Sequence, residues 1–132
     1  MSEAHAYLGT VMVMKGNRTE ARAEWRVALQ SDPDNVRVLN DLSWLLSTAP
    51  EPALRSGAEA VRLAGHGVEV THQQDPMLLG TLAAAYAEAG DFGHAVATEQ
   101  RALDVAGSQG NSQLVALLNS RLALFQQQKP IR

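Results

Sequence analysis

The 132-residue chain contains no cysteine. That absence excludes disulfide staples, thiolate nucleophiles and cysteine-built zinc sites together, and leaves stability to packing. Aromatic residues are only 5% of the chain, which argues against an aromatic, β-branched sheet core. Eleven basic against fourteen acidic side chains give a net charge of -3, so the basic surplus of a nucleic-acid binder is missing. No apolar run approaches the roughly 18 residues of a membrane span, and no signal-peptide pattern opens the chain. A soluble protein without direct membrane insertion is the expectation. Its compartment stays open: cytoplasmic by default, periplasmic if the chain belongs to a longer membrane protein.

What is abundant points to a class. Alanine (21) and leucine (17) dominate, and strong helix formers with small side chains predict an all-α fold of closely approaching helices. The length suits one domain at about 150 residues each. A mass of 14.2 kDa scales to roughly 6,800 Å² of folded surface against roughly 20,600 Å² unfolded, enough difference for a sizeable core.

An internal repeat organises the chain. Leu8-Gly9-x-x-Met12, Gly16-Asn17, Ala21, Trp25, Ala28 and Asp32-Pro33 return as Leu82-Ala83-x-x-Tyr86, Gly90-Asp91, Ala95 and Ala102, with Leu42-Ser43-x-x-Leu46 between them. The step from Leu8 to Leu42 is 34 residues, and the next, to Leu82, is 40. The surplus lies in Ala49-Pro50-Glu51-Pro52-Ala53-Leu54-Arg55, where two prolines end one helix and delay the next. Asn17-x-x-Glu20 and Ser56-x-x-Glu59 read as capping boxes, and Gly90-Asp91 supplies a helix stop and the next N-cap in two residues. Helices are expected over about 3–15, 18–31, 36–48, 57–71, 76–89, 92–106 and 112–127. The last carries the stripe Leu114, Leu118, Leu122, Phe125 after the breaker cluster 107–111 and suits an end cap.

These landmarks resemble the tetratricopeptide repeat over about residues 2 to 109, and the stretches 42–55 and 75–90 look like the C-terminal end of bacterial multi-repeat proteins. The resemblance implies a right-handed α-solenoid of three helix-turn-helix repeats plus a C-terminal capping helix. The repeats run at about 2–35, 36–75 with an extended turn at 49–55, and 76–109, and the cap at about 112–127. The third repeat departs from the pattern by placing Glu99 where an aromatic is expected. A row of nearest-neighbour interfaces would bury less than the globular scaling above. The abrupt start leaves the first helix uncovered, which implies a longer array or pairing with a second copy.

Catalytic signals are missing. His5, His66, His72 and His94 form no His-x-x-x-His or His-Glu-x-x-His spacing, and no nucleophile elbow or phosphate loop is present; Gly65-His66-Gly67 reads as a loosened helix. No enzyme activity, cofactor or metal is expected. Arg18, Arg22 and Arg26 share a helix with Glu20 and Glu24 and read as a solvated face, while Trp25 reads as core.

By the resemblance, the inner groove would be lined by Glu3, Ala6, Thr10, Val13 and Met14, by Arg37, Asn40, Trp44, Ser47 and Thr48, and by Met77, Gly80, Ala84, Ala87 and Glu88. The two-carboxylate clamp of chaperone-binding relatives is absent, because Ala6, Thr10, Asn40 or Asp41, Met77 and Thr81 stand at its places. The expected function is non-catalytic binding of a protein or peptide. Trp44 is its aromatic anchor, Asn40 and Arg37 its polar contacts, and Thr10 and Met77 its flanks. Two alternatives are an accessory domain of a larger enzyme, such as a glycosyltransferase or kinase, and a homodimerisation module.

Overall fold

The computed structural model describes residues 2–132 and is all-helical over them. Seven α-helices follow in order: α1 (Ser2–Met14), α2 (Arg18–Ser31), α3 (Val36–Thr48), α4 (Gly57–Val70), α5 (Pro76–Glu88), α6 (Phe92–Ser108) and α7 (Ser112–Gln126). A single 3₁₀ turn, Pro52–Leu54, sits in the long α3–α4 connection.

The helix ends follow capping chemistry. The side chains of Asn35, Ser56, Asp75, Asp91 and Asn111 accept hydrogen bonds from backbone amides in the first turns of α3, α4, α5, α6 and α7, satisfying donors a helix start leaves orphaned. Asn17 departs from the expected capping box, since its side chain makes no cap bond. Gly16, at φ +80°, instead turns the chain so that the Asn17 amide donates to the Met12 carbonyl at 2.7 Å. This closes the end of α1, and the Asn17 side-chain amide reaches the Met12 sulfur at 4.0 Å rather than capping α2.

Consecutive helices pack against one another, and α3 also packs on α5. The core is a chain of three clusters rather than one centre. The first joins α1 to α4, the second α4 to α7, and the third gathers Ala83, Ala84, Ala87, Ala95 and Phe125. Val61 and Tyr86 bridge adjoining clusters. The exposed surface is nevertheless 6712 Å², the value a compact protein of this mass has. The expected shortfall in burial does not occur, because α7 and the C-terminal tail fold back over α5 and cover its remaining face.

Small residues set the helix spacing. Trp25 is core, as expected, and its indole N–H donates to the Ala6 carbonyl at 3.2 Å. Its ring lies so close to Gly9 that a Cβ there would stand 2.2 Å from Nε1. Gly67 likewise admits Leu78, whose Cδ2 would meet a Cβ at 2.9 Å. Of the two glycines flanking His66, this one serves close packing rather than loosening the helix, while Gly65 faces open space.

The two kinds of helical glycine predict opposite outcomes in urea unfolding. Gly9→Ala forces the Trp25 ring aside and should cost about 1–3 kcal/mol, the usual penalty of overpacking. Gly65→Ala meets nothing and should gain up to about 1 kcal/mol from helix propensity. Equal effects would show that Trp25 does not depend on the bare backbone at Gly9.

Candidate functional site

The sites named from sequence lie on α1, α3 and α5, and the structure treats them unequally. Thr10 donates to the Ala6 carbonyl and accepts from the Arg37 guanidinium at 3.3 Å. Arg37 therefore ties the middle of α1 to the start of α3, with Asp41 4.0 Å away on its own helix. Asn40 is spent internally: its Oδ1 accepts from the Thr81 hydroxyl at 2.6 Å, and its amide nitrogen reaches Asp41 at 3.5 Å. Both amide ends have partners within the protein, so Asn40 joins α3 to α5 rather than presenting a free amide. Met77 stands exposed at the first turn of α5 and takes no part in lining the cleft described next.

Thr10, Val13, Met14, Trp44 and Thr48 line one cleft of about 520 Å³ between α1 and α3. Trp25 and Leu45 also border it, and Pro50 and Arg132 stand with them. Five of the residues expected on the inner face, three on α1 and two on α3, thus share a single opening. The other expected lining positions do not open there. Ala6, Ser47, Gly80, Ala84 and Ala87 are buried, Gly80 beneath Leu118 and the two α5 alanines in the cluster with Phe125 and Ile131.

Trp44 is half-buried, and the Arg121 guanidinium of α7 lies over its ring at 4.5 Å from the centroid. This cation–π contact holds an α7 charge against the wall of the cleft. Neither residue type nor spacing could have announced a pair 77 positions apart in the chain. Near them sits the residue that broke the repeat pattern. Glu99 is 0% exposed, and neither carboxylate oxygen has a hydrogen-bond partner. Burial pushes its carboxyl up to about 8, with the Arg121 charge opposing the shift only in part. Burial lowers the Arg121 guanidinium in turn, against the pull of Glu99. Burial likewise raises the Asp41 carboxyl, opposed by the Asn40 hydrogen bond and by Arg37.

Two of the three arginines of the α2 strip are paired across the fold. Arg18 lies 3.4 Å from Glu51 and Arg26 2.7 Å from Glu59. His5 pairs with Glu24, His66 with Asp34 and His94 with Asp91. Each of these histidines meets one carboxylate, and among the described residues no three His, Asp or Glu side chains stand together as metal ligands. No helix among those described is long and apolar enough to cross a membrane. The sequence matches no family model, and no curated protein matches it.

Glu99 predicts a pH signature. Its folded value of about 8 lies above that of an unfolded glutamate, so folding takes up a proton between the two. Its contribution to stability is therefore fully present below about pH 4.3 and is lost as pH rises through 8. Glu99→Gln should flatten that loss, raising the melting temperature by several degrees at pH 8.5 relative to the unaltered chain and by much less at pH 5.5. Parallel pH profiles for both proteins would place an ionised Glu99 in the native state.

Proposed function

We propose that the chain is a non-catalytic protein-interaction domain of tetratricopeptide type, built as a right-handed solenoid of three repeats with α7 as its cap. It receives a peptide or helix in the cleft between α1 and α3. Support for the repeat comes from contacts that recur at nearly one repeat length. Arg18 with Glu51 and Arg26 with Glu59 are 33 positions apart, Asp34 with His66 32, and Gln74 with Gln109 35.

The cleft carries the functional reading. It is open, bordered by the Trp44 ring and by two exposed apolar side chains, Val13 and Met14, with Thr10, Thr48, Asp41, Arg18 and Arg132 supplying its polar lining. Apolar surface with a few polar groups is the make-up of a recognition groove. Trp44 is the anchor and Thr10 a polar edge, with Arg37 donating to Thr10 from outside the cleft lining and Asn40 positioning α3 from behind. Met77 lies beyond the cleft, where a longer ligand would reach it.

A second cavity, between α2 and α4, lies among Arg26, Arg62 and His66 and serves as the control face. In a pull-down from the native host, a partner held by the intact chain should be lost with Trp44→Ala and with Met14→Glu and kept with Arg62→Glu, helical circular dichroism being unchanged throughout. Loss with Arg62→Glu alone would move the binding face to α2 and α4. Loss of helicity in Trp44→Ala would make Trp44 a core residue.

A second reading, pairing through α1, rests on Tyr7, Leu8 and Met14, which are 65%, 38% and 81% exposed, more apolar surface than one helix normally leaves to water. Light scattering at tens of micromolar decides it: a dimer dispersed by Tyr7→Glu supports pairing, and a monomer removes it. The accessory-domain alternative keeps the same cleft and adds only an enzyme upstream.

A further inference from the structure

The cleft has an occupant at one end, and it is the chain's own tail. After α7 the backbone turns at Gln128, whose φ is +59°, and the Lys129 amide donates to the Leu124 carbonyl at 2.9 Å. Beyond that point the tail is held by side chains. Ile131 packs against the cluster of Ala83, Ala84, Ala87, Ala95 and Phe125. Arg132 enters the wall of the cleft beside Trp44 and Thr48 and brings its guanidinium to 2.7 Å from Glu88 Oε1.

Glu88 is prepared to receive that charge. It ends α5 with its side chain only 15% exposed, and Oε1 is buried without an aligned hydrogen bond, the Arg132 contact being one of charge. Its other oxygen faces Arg55 Nε at 3.4 Å. Arg55 in turn is pinned by the Ala49 and Pro50 carbonyls at 2.7 and 3.3 Å. The residues inserted in the 49–55 turn thereby gain a purpose. They supply a fixed cation at one Glu88 oxygen, while the other, buried and without an aligned hydrogen bond, has the Arg132 charge beside it. A buried carboxylate oxygen in that state calls for a cationic donor.

Resting on the groove reading above, we propose that this end of the cleft recognises an extended segment bearing an aliphatic residue followed by arginine. The aliphatic side chain seats on Ala83, Ala84 and Ala87, and the guanidinium on Glu88. Residues 129–132 are an internal copy of that ligand, which a partner segment of the same chemistry must displace. A short tether gives an effective concentration on the order of 1 mM. Against a trans affinity of about 100 µM, the tail therefore weakens an incoming segment roughly tenfold.

The probe is a fluorescein-labelled, C-terminally amidated peptide of sequence Gln-Gln-Lys-Pro-Ile-Arg, followed by anisotropy. It should bind the chain ending at Gln128 about tenfold more tightly than the full chain. Arg132→Ala in the full chain, a position outside every helix, should recover much of that gain. Glu88→Gln in the shortened chain should lose tenfold or more with its melting curve retained, and so should a peptide with alanine in place of arginine. Equal affinity for full and shortened chains, no saturable binding to the shortened chain, or indifference to the arginine would each overturn the proposal. The groove reading fails separately: a partner lost with Trp44→Ala sustains it even if the peptide never binds, and a partner indifferent to Trp44 and Met14 removes it even if the peptide does.

Discussion

Close approach of helix backbones is the constraint on which the rest of this structure depends. With no disulfide and few aromatic rings, cohesion has to come from many short contacts across helix faces, and such contacts require that almost nothing project between the backbones. Gly9 under Trp25, Gly57 against the backbone of Ala89, Gly67 under Leu78 and Gly80 under Leu118 are the places where even a methyl group would collide or crowd. Around them Ala21, Ala28, Ala60, Ala64, Ala95 and Ala102 are fully buried. The alanine excess is thus the chemical form of the packing.

The same constraint decides where open space is left. Helix α5 is small and apolar nearly all round, and from Pro76 to Ala87 only Met77 and Tyr86 escape burial. A helix of that kind has to be covered on every side. Neighbouring α3, α4 and α6 cover part of it, and α7 and the tail cover what remains through Leu118, Phe125 and Ile131. Space is left instead between α1 and α3, where Val13, Met14 and Trp44 are too large and too exposed to close the gap. Composition and site are therefore two results of one rule.

The local structure was legible in the sequence because capping and turn chemistry are short-range. Ser56, Asp91 and Gly90 behave as their types dictate, and each expected helix end lies within about two residues of its observed place. Asn17 misled because its side chain turns back to the Met12 sulfur, whereas Asp91 and Asn111, each after the same kind of glycine turn, close the preceding helix with their amides and cap the next with their side chains. The site was half legible. Spacing along α1 and α3 brought Thr10, Val13, Met14, Trp44 and Thr48 to one face, since residues of one helix share a face by periodicity alone. What no periodicity carries is the return of the chain: Arg121 over Trp44, Arg132 at Glu88, and the spending of Asn40 on Thr81 all depend on how α7 and α5 come back across α3. The warning signs were a long turn at 49–55 and a glutamate in an aromatic place. The first delivers Arg55 to Glu88, and the second remains buried without a partner.

That unpartnered glutamate completes the electrostatics of the cleft wall. Were Glu99 ionised, its charge would compete with the Trp44 ring for Arg121. A carboxyl that stays protonated to about pH 8 withdraws from that contest over the neutral range, and it makes no ion pair with Arg121 among the described residues. The guanidinium is then steadied by the indole face alone, a weaker hold than a buried ion pair. Trp44 thus meets the cleft with an arginine charge over its ring, while Glu88 and Arg55 set a fixed pair of opposite charges at the far end of α5. In the proposed reading a ligand would run from the Arg121–Trp44 wall toward Glu88, with Arg18 and Asp41 also lining the cleft.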